Sequence, residues 1–146
     1  MTICNVLFIC TGNSARSLIA EAVLNARSAG EYRAFSAGSR STGQPNPLAI
    51  RTLEKAGYET ADLHSKSWDE FSVAGAVRPD VVVTLCDSAA AEECPAWSGS
   101  PKIIHWGLPD PAAIKAPDQR EREFARTLAE IEQRIDDFLQ ASPGPG

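Results

Sequence analysis

Apolar positions along the chain follow two different periods, and these periods predict its secondary structure. Short continuous apolar runs are typical of buried parallel strands, whereas apolar residues three and four positions apart are typical of amphipathic helices. The first pattern predicts strands at 5–9, 32–38, 79–85 and 102–106. The second predicts helices at 15–26, at 47–56 and from about 118 to 141.

Strands and helices alternate along the chain, and this order predicts the class of fold. A chain of 146 residues suits one compact domain. We predict a single α/β domain over residues 1–141, with four parallel strands in the order 2-1-3-4 and helices on both faces of the sheet. Residues 142–146 are predicted to form a disordered tail.

Glycine, proline and capping residues set the predicted helix ends. Gly30 and Gly57 follow helical segments and are expected to end them, while Pro47 suits a first helical turn. Asp118 precedes Glu121 by three residues, which resembles a capping box at the start of the last helix.

The apolar positions also predict which side chains form the core. The stripe on the second helix consists of Leu48, Ile50, Leu53 and Ala56, and that on the last helix of Phe124, Leu128, Ile131, Ile135 and Phe138. Cys4 shares a strand face with Val6 and is expected in the core, because a free cysteine packs as a small hydrophobe.

Composition excludes several classes of function. With 43% hydrophobic and 23% charged residues and no long apolar segment, a soluble protein without a membrane span is expected. A net charge of −5 without a basic cluster argues against nucleic acid as a partner. No secretory pattern opens the chain, so the cytoplasm is the expected location. Four cysteines in that compartment indicate catalysis, redox chemistry or metal binding rather than structural disulfides.

Residues 10–17 connect the first predicted strand to the first predicted helix. Such a loop collects the unpaired amides of the first helical turn, which point with the positive end of the helix dipole at whatever the loop encloses. Gly12 and Asn13 tolerate the backbone conformations that let successive amides converge. Cys10 adds a nucleophile, and Arg16 adds a fork of donors that matches a tetrahedral oxyanion. The loop therefore predicts an oxyanion site.

The electrostatics of this loop support the same interpretation. Arg16 in a first helical turn opposes the helix dipole, and a bound anion resolves that conflict. The positive field favours the thiolate form of Cys10, and the hydroxyl of Ser17 is a further donor to the sulfur. The alternative interpretation is a buried cysteine that merely ends a strand.

Two more candidate groups follow later strands. Cys86 stands at the end of strand 79–85, the position that Cys10 takes relative to the first strand. Because the carboxyl ends of parallel strands share one edge, we expect the two thiols to lie close together. Asp110 follows the fourth strand and belongs to the same edge.

The motif Cys-x5-Arg-Ser resembles the phosphate-binding loop of the low-molecular-weight protein tyrosine phosphatase family, and residues 10–17 are similar to those of arsenate reductases built on that fold. The resemblance covers nearly the whole chain and implies the same fold, with a short helix near Trp68 to Val73. The pair Asp110-Pro111 matches the family's general acid. By this resemblance the oxyanion is bound by Thr11, Gly12, Asn13, Ser14, Ala15, Arg16 and Ser17.

Two enzymatic activities are compatible with this resemblance. A phosphatase needs only Cys10, Arg16, the loop amides and Asp110, and hydrolyses phosphomonoesters through a phosphorylated cysteine. The family's tyrosine phosphatases lead us to expect an aromatic residue soon after the Asp-Pro pair, but Ala112 and Ala113 stand there. This departure argues against a tyrosine phosphatase.

An arsenate reductase uses three thiols, and this activity is the favoured prediction. Cys10 attacks arsenate, and the resemblance assigns the second and third roles of a disulfide relay to Cys86 and Cys94. The result is arsenic detoxification, with residual phosphatase activity as a side reaction because arsenate and phosphate share shape and charge. A non-enzymatic oxyanion or redox sensor is a further alternative.

The spacing of the last two thiols has a conformational consequence. Were residues 86–94 a continuous helix, the two Cα atoms would lie roughly 12 Å apart, beyond the roughly 7 Å limit for a disulfide. We therefore predict that segment 86–101 is helical or otherwise ordered when reduced and looped out when oxidised, where it presents the Cys86–Cys94 bond to an external reductant. Thioredoxin is the expected reductant, with a glutaredoxin or a low-molecular-weight thiol as alternatives. A zinc half-site lacks the usual Cys-x2-Cys spacing.

The resemblance also implies a cation site. Some relatives place the counterparts of Asn13, Glu21 and Ser36 around a potassium ion, and the oxygens of these side chains suit one. No tightly bound cofactor is expected. Asp62 and His64 are candidates for supporting positions, although the sequence shows no catalytic partner for His64.

Overall fold

The computed structural model describes residues 3–28, 30–71, 77–85, 101–109 and 111–141. Three predicted site residues, Cys86, Cys94 and Asp110, lie outside these ranges. Most of the segment predicted to remodel, 86–101, and the predicted tail, 142–146, also lie outside them.

The described residues form one four-stranded parallel sheet. Its strands are β1 (Cys4–Cys10), β2 (Tyr32–Gly38), β3 (Val81–Thr84) and β4 (Lys102–His105), in the order β2-β1-β3-β4. The predicted strands, their direction and their order are confirmed. Because β1 pairs with a neighbour on each side and is covered on both faces, it requires a continuous apolar run rather than an alternating one.

The described part of the chain contains three α-helices: α1 (Arg16–Arg27), α2 (Pro47–Lys55) and α3 (Pro117–Ala141). These helices pack against one another on the face of the sheet where Ser36 contacts Glu21 of α1. Phe35, the neighbour of Ser36, points to the opposite face by strand alternation. There its ring lies 5.9 Å from that of Phe71, in a short 3₁₀ helix at Trp68–Phe71. Helical segments thus cover both faces, as predicted.

The helix ends follow the sequence signals in one helix and depart from them in another. At the start of α2, Pro47 takes the first helical position and the Asn46 side chain accepts a hydrogen bond from the amide of Leu48. The capping-box prediction for α3 is wrong. This helix begins at Pro117, which lacks an amide hydrogen and suits the first position, so Asp118 lies inside the first turn.

The predicted stripe on α3 is confirmed. Phe124, Leu128, Ile131 and Ile135 are buried, and Phe138 packs on Tyr32 with ring centroids 5.4 Å apart. The stripe on α2 differs from the prediction, because Ala49 and Leu53 are the buried residues while Leu48 and Ile50 are half-buried. Ala56 is exposed, since the helix ends at Lys55.

Cys4 is 8% exposed and belongs to the core, as predicted. Its side chain is part of the hydrophobic core, together with the other buried side chains of β1. No helix in the described ranges is both long enough and apolar enough to cross a bilayer.

Candidate active site

The loop that the sequence singles out lies at the carboxyl edge of the sheet, between β1 and α1. Cys10 is the last residue of β1 and is 2% exposed. Helix α1 begins at Arg16 with no side-chain cap at Ala15 and no acidic residue in its first turn. The amino terminus of α1 thus has no side-chain cap, whereas in α2 the Asn46 side chain accepts from the amide of Leu48, and an uncapped helix amino terminus suits an anion.

The carbonyl groups of this loop are held by a neighbouring segment of the chain. Amides of the segment 39–46 donate hydrogen bonds to the carbonyl oxygens of Cys10, Thr11, Gly12 and Ser14, over 2.8–3.3 Å. By contrast, the amides of Gly12, Asn13, Ser14 and Ala15 contact no acceptor among the described residues. A loop with its carbonyls anchored on one side and its amides left over on the other is suited to hold an anion.

Asn13 fixes the shape of the loop from inside. It is fully buried and takes a left-handed conformation, with φ of 48°. Its Oδ1 accepts a hydrogen bond from the amide of Lys66 at 2.7 Å, and its Nδ2 donates to Oγ of Ser17 at 2.7 Å. The amide of Lys66 can only donate, so this contact decides which end of the Asn13 side chain faces Ser17.

The orientation of Asn13 determines the role of the Ser17 hydroxyl. Because the Asn13 amide nitrogen donates to Oγ of Ser17, the hydroxyl proton is left for the Sγ of Cys10, 2.9 Å away. A hydroxyl that donates to sulfur stabilises the thiolate more than the thiol. The geometry therefore makes the Ser17 hydroxyl the donor to the sulfur of Cys10.

Gly38 allows β2 to approach the loop. A Cβ atom at this position would lie 2.5 Å from the carbonyl oxygen of Thr11 and 2.9 Å from the amide nitrogen of Asn13. Both contacts are with backbone atoms, which cannot move aside without changing the loop. Glycine is required here because of close approach rather than because of its own backbone angles.

Arg16 connects the loop to the segment that follows β4. Its Nη1 donates to the carbonyl oxygen of Leu108 at 2.8 Å, and the amide of Leu108 donates to the carbonyl oxygen of Leu85. Asp110 follows Leu108 by two residues and Cys86 follows Leu85 directly, although both lie outside the described residues. The structure thus places Cys10, Arg16, Leu85 and Leu108 at the same edge of the sheet. Leu85 and Leu108 are described residues that lie one and two positions before Cys86 and Asp110 in the chain.

Replacing Ser17 by alanine is expected to slow alkylation of Cys10 by iodoacetamide at neutral pH about tenfold or more. A hydrogen bond to a charged group contributes about 1.5–3 kcal/mol, and this bond favours the reactive thiolate. The measurement uses a Cys86→Ser, Cys94→Ser background. Burial and the nearby Asp80 raise the pKa of the Cys4 thiol, which keeps it unreactive.

Ser28→Ala is the matched control for this prediction, since Ser28 is a buried serine at the other end of α1. It donates to the carbonyl oxygen of Tyr32 and does not contact the loop. Its loss is expected to lower stability without changing the alkylation rate. An unchanged rate in Ser17→Ala would contradict the donor role of Ser17.

Two of the three residues predicted for potassium, Glu21 and Ser36, meet at the side chain of Lys66, whereas Asn13 contacts the backbone amide of Lys66. Oγ of Ser36 donates to Oε1 of Glu21 at 2.6 Å, and Nζ of Lys66 lies 3.4 Å from that Oγ and 3.8 Å from that Oε1. The same Nζ donates to the carbonyl oxygen of His64 at 2.8 Å. Burial raises the pKa of Glu21 and lowers the pKa of Lys66, and their mutual attraction opposes both shifts.

These residues do not fit a potassium ion as their ligand. A lysine ammonium already lies among the oxygens of Glu21 and Ser36, and the Oδ1 of Asn13 is engaged by the amide of Lys66. At an effective dielectric constant of about 20, two positive charges about 4 Å apart repel by about 4 kcal/mol. The positive charge of Lys66 would therefore repel a second cation at this position.

Asp62 and His64 are both exposed. Nδ1 of His64 lies 3.1 Å from the carbonyl oxygen of Asp62, and the backbone carbonyl group of His64 accepts a hydrogen bond from Nζ of Lys66. Their side chains do not reach the loop.

Two residues of the site were missed from the sequence. Lys66 lies in a polar connection with no periodicity, and Gly38 simply ends a strand. The sequence does contain a signal for Gly38, because a glycine that ends a strand next to the predicted oxyanion loop indicates a close approach of two backbone segments. For Lys66 the sequence contains no comparable signal, because its contacts reach two other parts of the chain.

This site belongs to a class of α/β proteins that hold an oxyanion. Its marks are a parallel sheet, a helix amino terminus without a side-chain cap, and a buried thiol at the end of the strand that leads into that helix. The model of one such family, the low molecular weight phosphotyrosine protein phosphatases, matches residues 5–142. The chain therefore belongs to the low molecular weight phosphotyrosine protein phosphatase family.

The relatives that share this fold include both arsenate reductases and protein tyrosine phosphatases. The arsenate reductase of Halalkalibacterium halodurans is 35% identical over 136 residues, which cover 92% of this chain and 94% of that protein. The solved structure of an arsenate reductase from Archaeoglobus fulgidus is 29% identical, with a TM-score of 0.70 over 92% of this chain and 98% of the other. The solved structure of a low molecular weight protein tyrosine phosphatase from T. tengcongensis is 26% identical in sequence, with a TM-score of 0.76 over 95% of this chain and 99% of the other.

Proposed function

We propose that this protein is an enzyme that reduces arsenate to arsenite, and that its role is arsenic detoxification. The observation that carries the proposal is the 35% identity to an arsenate reductase over nearly the whole of both chains. The loop geometry is consistent with it, because a buried thiol directly precedes a loop whose amides suit a tetrahedral oxyanion.

In the first step, the thiolate of Cys10 attacks the arsenic atom of arsenate. The loop amides and Arg16 hold the arsenate oxygens and stabilise the charge that develops on them. An arsenate hydroxyl takes a proton, assigned to Asp110, and leaves as water. The product is an adduct with a sulfur–arsenic bond, in which arsenic is still pentavalent.

The electrons come from thiols in the second step. Cys86 attacks the sulfur of Cys10, a disulfide forms, and the sulfur–arsenic bond breaks with its electron pair passing to arsenic, which leaves as trivalent arsenite. Cys94 then attacks Cys86, so that the disulfide moves to Cys86 and Cys94 and Cys10 is released as a thiol. An external dithiol reduces this last disulfide.

Thioredoxin is the reductant that we propose, with a glutaredoxin or a low-molecular-weight thiol as alternatives. We place the reaction in the cytoplasm, because a cycle that regenerates three thiols requires a reducing compartment. Segment 86–101 would then present the disulfide to the reductant by changing its conformation.

Hydrolysis of phosphomonoesters is the second candidate function. It is favoured by the loop alone, since phosphate and arsenate have the same shape and charge, and by the likeness to the phosphatase from T. tengcongensis. This reaction uses Cys10, Arg16 and Asp110, but it gives Cys86 and Cys94 no role. Ala112 and Ala113 also replace the aromatic residue expected after the Asp-Pro pair of a tyrosine phosphatase.

The deciding experiment measures arsenite formed from arsenate, with thioredoxin, thioredoxin reductase and NADPH supplied. Cys86→Ser and Cys94→Ser are each expected to stop multiple turnover, because either change interrupts the relay. Cys4→Ala is the control, since this thiol is part of the core and lies outside the loop. It is expected to retain the wild-type rate.

The same variants separate the two candidate functions. Hydrolysis of an aryl phosphate is expected to survive in Cys86→Ser and Cys94→Ser, because neither thiol takes part in it. If the wild-type protein forms no arsenite with any of the thiol donors yet hydrolyses the aryl phosphate, the reductase proposal fails and the phosphatase replaces it.

A further inference from the structure

We propose that Lys66 is a positioning residue that provides, from within the chain, the positive charge that a monovalent cation would otherwise place between Glu21 and Ser36. The reactivity of Cys10 is then independent of potassium. The link to arsenate turnover rests on the proposed function, whereas the link to thiol reactivity does not.

The first step of the argument is the environment of the Lys66 side chain. The residue is only 8% exposed, and its Nζ lies close to three oxygens, those of Glu21, Ser36 and the His64 carbonyl group. A buried lysine in contact with a carboxylate, a hydroxyl and a carbonyl oxygen provides in its ammonium group what a bound cation provides.

The second step is that Lys66 contacts the oxyanion loop through a different part of the same residue. Its amide holds Oδ1 of Asn13 at 2.7 Å, while its ammonium holds α1 and β2 through Glu21 and Ser36. Asn13 and Ser36 are fully buried. One residue therefore contacts the loop, the first helix and the neighbouring strand.

The third step connects this arrangement to the nucleophile. Asn13, held by Lys66, donates to Ser17, and Ser17 contacts Sγ of Cys10. If the ammonium is removed, the carboxylate of Glu21 remains buried without its cationic partner among the described residues. The backbone at residue 66 is then no longer anchored by its side chain, and the orientation of Asn13 is less well fixed.

The test uses two substitutions of Lys66 that differ in the space they leave. Lys66→Ala removes the charge and opens a space among the oxygens of Glu21, Ser36 and His64, into which a potassium ion fits. Lys66→Met removes the charge but keeps most of the side-chain volume. Lys55→Ala is the control, because Lys55 is an exposed lysine in the last turn of α2 and makes none of the contacts of this cluster.

Alkylation of Cys10 by iodoacetamide is measured in potassium chloride and in tetramethylammonium chloride at equal ionic strength, in the Cys86→Ser, Cys94→Ser background. The wild type and Lys55→Ala are expected to react at the same rate in both salts. Lys66→Ala is expected to react about tenfold more slowly in tetramethylammonium chloride and to recover in potassium chloride. Lys66→Met is expected to be slow in both.

Three outcomes would overturn the proposal. One is a wild-type alkylation rate that potassium raises severalfold over tetramethylammonium. Another is wild-type reactivity of Lys66→Ala in both salts, and the third is a loss in Lys66→Ala that potassium does not restore, which indicates a merely structural lysine. Should Lys66→Ala not fold, Lys66→Met decides, because wild-type reactivity of that variant would also overturn the proposal, and none of these readings requires arsenate turnover.

Discussion

Replacing Cys10 by serine is expected to lower the rate of arsenate reduction by about 10⁴-fold or more. A hydroxyl is a much weaker nucleophile than a thiolate, and it cannot take part in the disulfide that carries electrons to arsenic. The serine side chain is smaller than that of cysteine and fits the same space at the end of β1, next to Ser17. The measurement is arsenite production with the thioredoxin system.

Binding separates loss of chemistry from loss of structure in this variant. Cys10→Ser is expected to bind phosphate with an affinity within about tenfold of the wild type by calorimetry, because amides and Arg16 form the oxyanion contacts. Cys4→Ala removes a thiol from the same strand and is expected to keep both binding and turnover. Substantial arsenite production by Cys10→Ser would show that another group attacks arsenate.

Gly38→Ala is expected to abolish oxyanion binding and to lower the free energy of unfolding by about 1–3 kcal/mol. The added methyl group would lie 2.5 Å from the Thr11 carbonyl oxygen and 2.9 Å from the Asn13 amide nitrogen. Because both are backbone atoms, the loop itself must shift, and its amides no longer converge on one point. Phosphate binding by calorimetry and denaturant unfolding measure the two effects.

Gly57→Ala provides the control for a glycine substitution that affects stability alone. Gly57 has a φ of 90° after α2, and a Cβ atom there would meet nothing within 4 Å. This variant is expected to lose about 1 kcal/mol of stability through backbone strain while binding phosphate normally. Normal phosphate binding by Gly38→Ala would refute the role assigned to the close approach.

Local patterns carry most of the information about this fold. The strands have continuous apolar runs and the helices have apolar stripes, so each element could be predicted from its own residues. The error at Asp118 concerned a single turn, where Pro117 determined the start of the helix. The exposure of Ala56 has a similar cause, since the position of the helix end decides whether this residue is covered.

The candidate site divides into a part that the sequence predicts and a part that it does not. Cys10 and Arg16 stand at the two ends of one short strand-to-helix loop, so their proximity follows from local structure. The contacts of Lys66 with Asn13 and Glu21 join residues 53 and 45 positions apart. Such contacts depend on the packing of three elements, which no local pattern encodes.

The segment 39–46 holds the oxyanion loop almost entirely through backbone groups, and this determines which changes it tolerates. Its amides donate to four carbonyl oxygens of the loop, whereas the side chains of Arg40, Thr42 and Gln44 are exposed. The constraint therefore falls on the number of residues in the segment and on its backbone path, including the positive φ at Gly43. Substitutions at its exposed positions leave the register of these hydrogen bonds intact, but an insertion or deletion of one residue would displace several of them together.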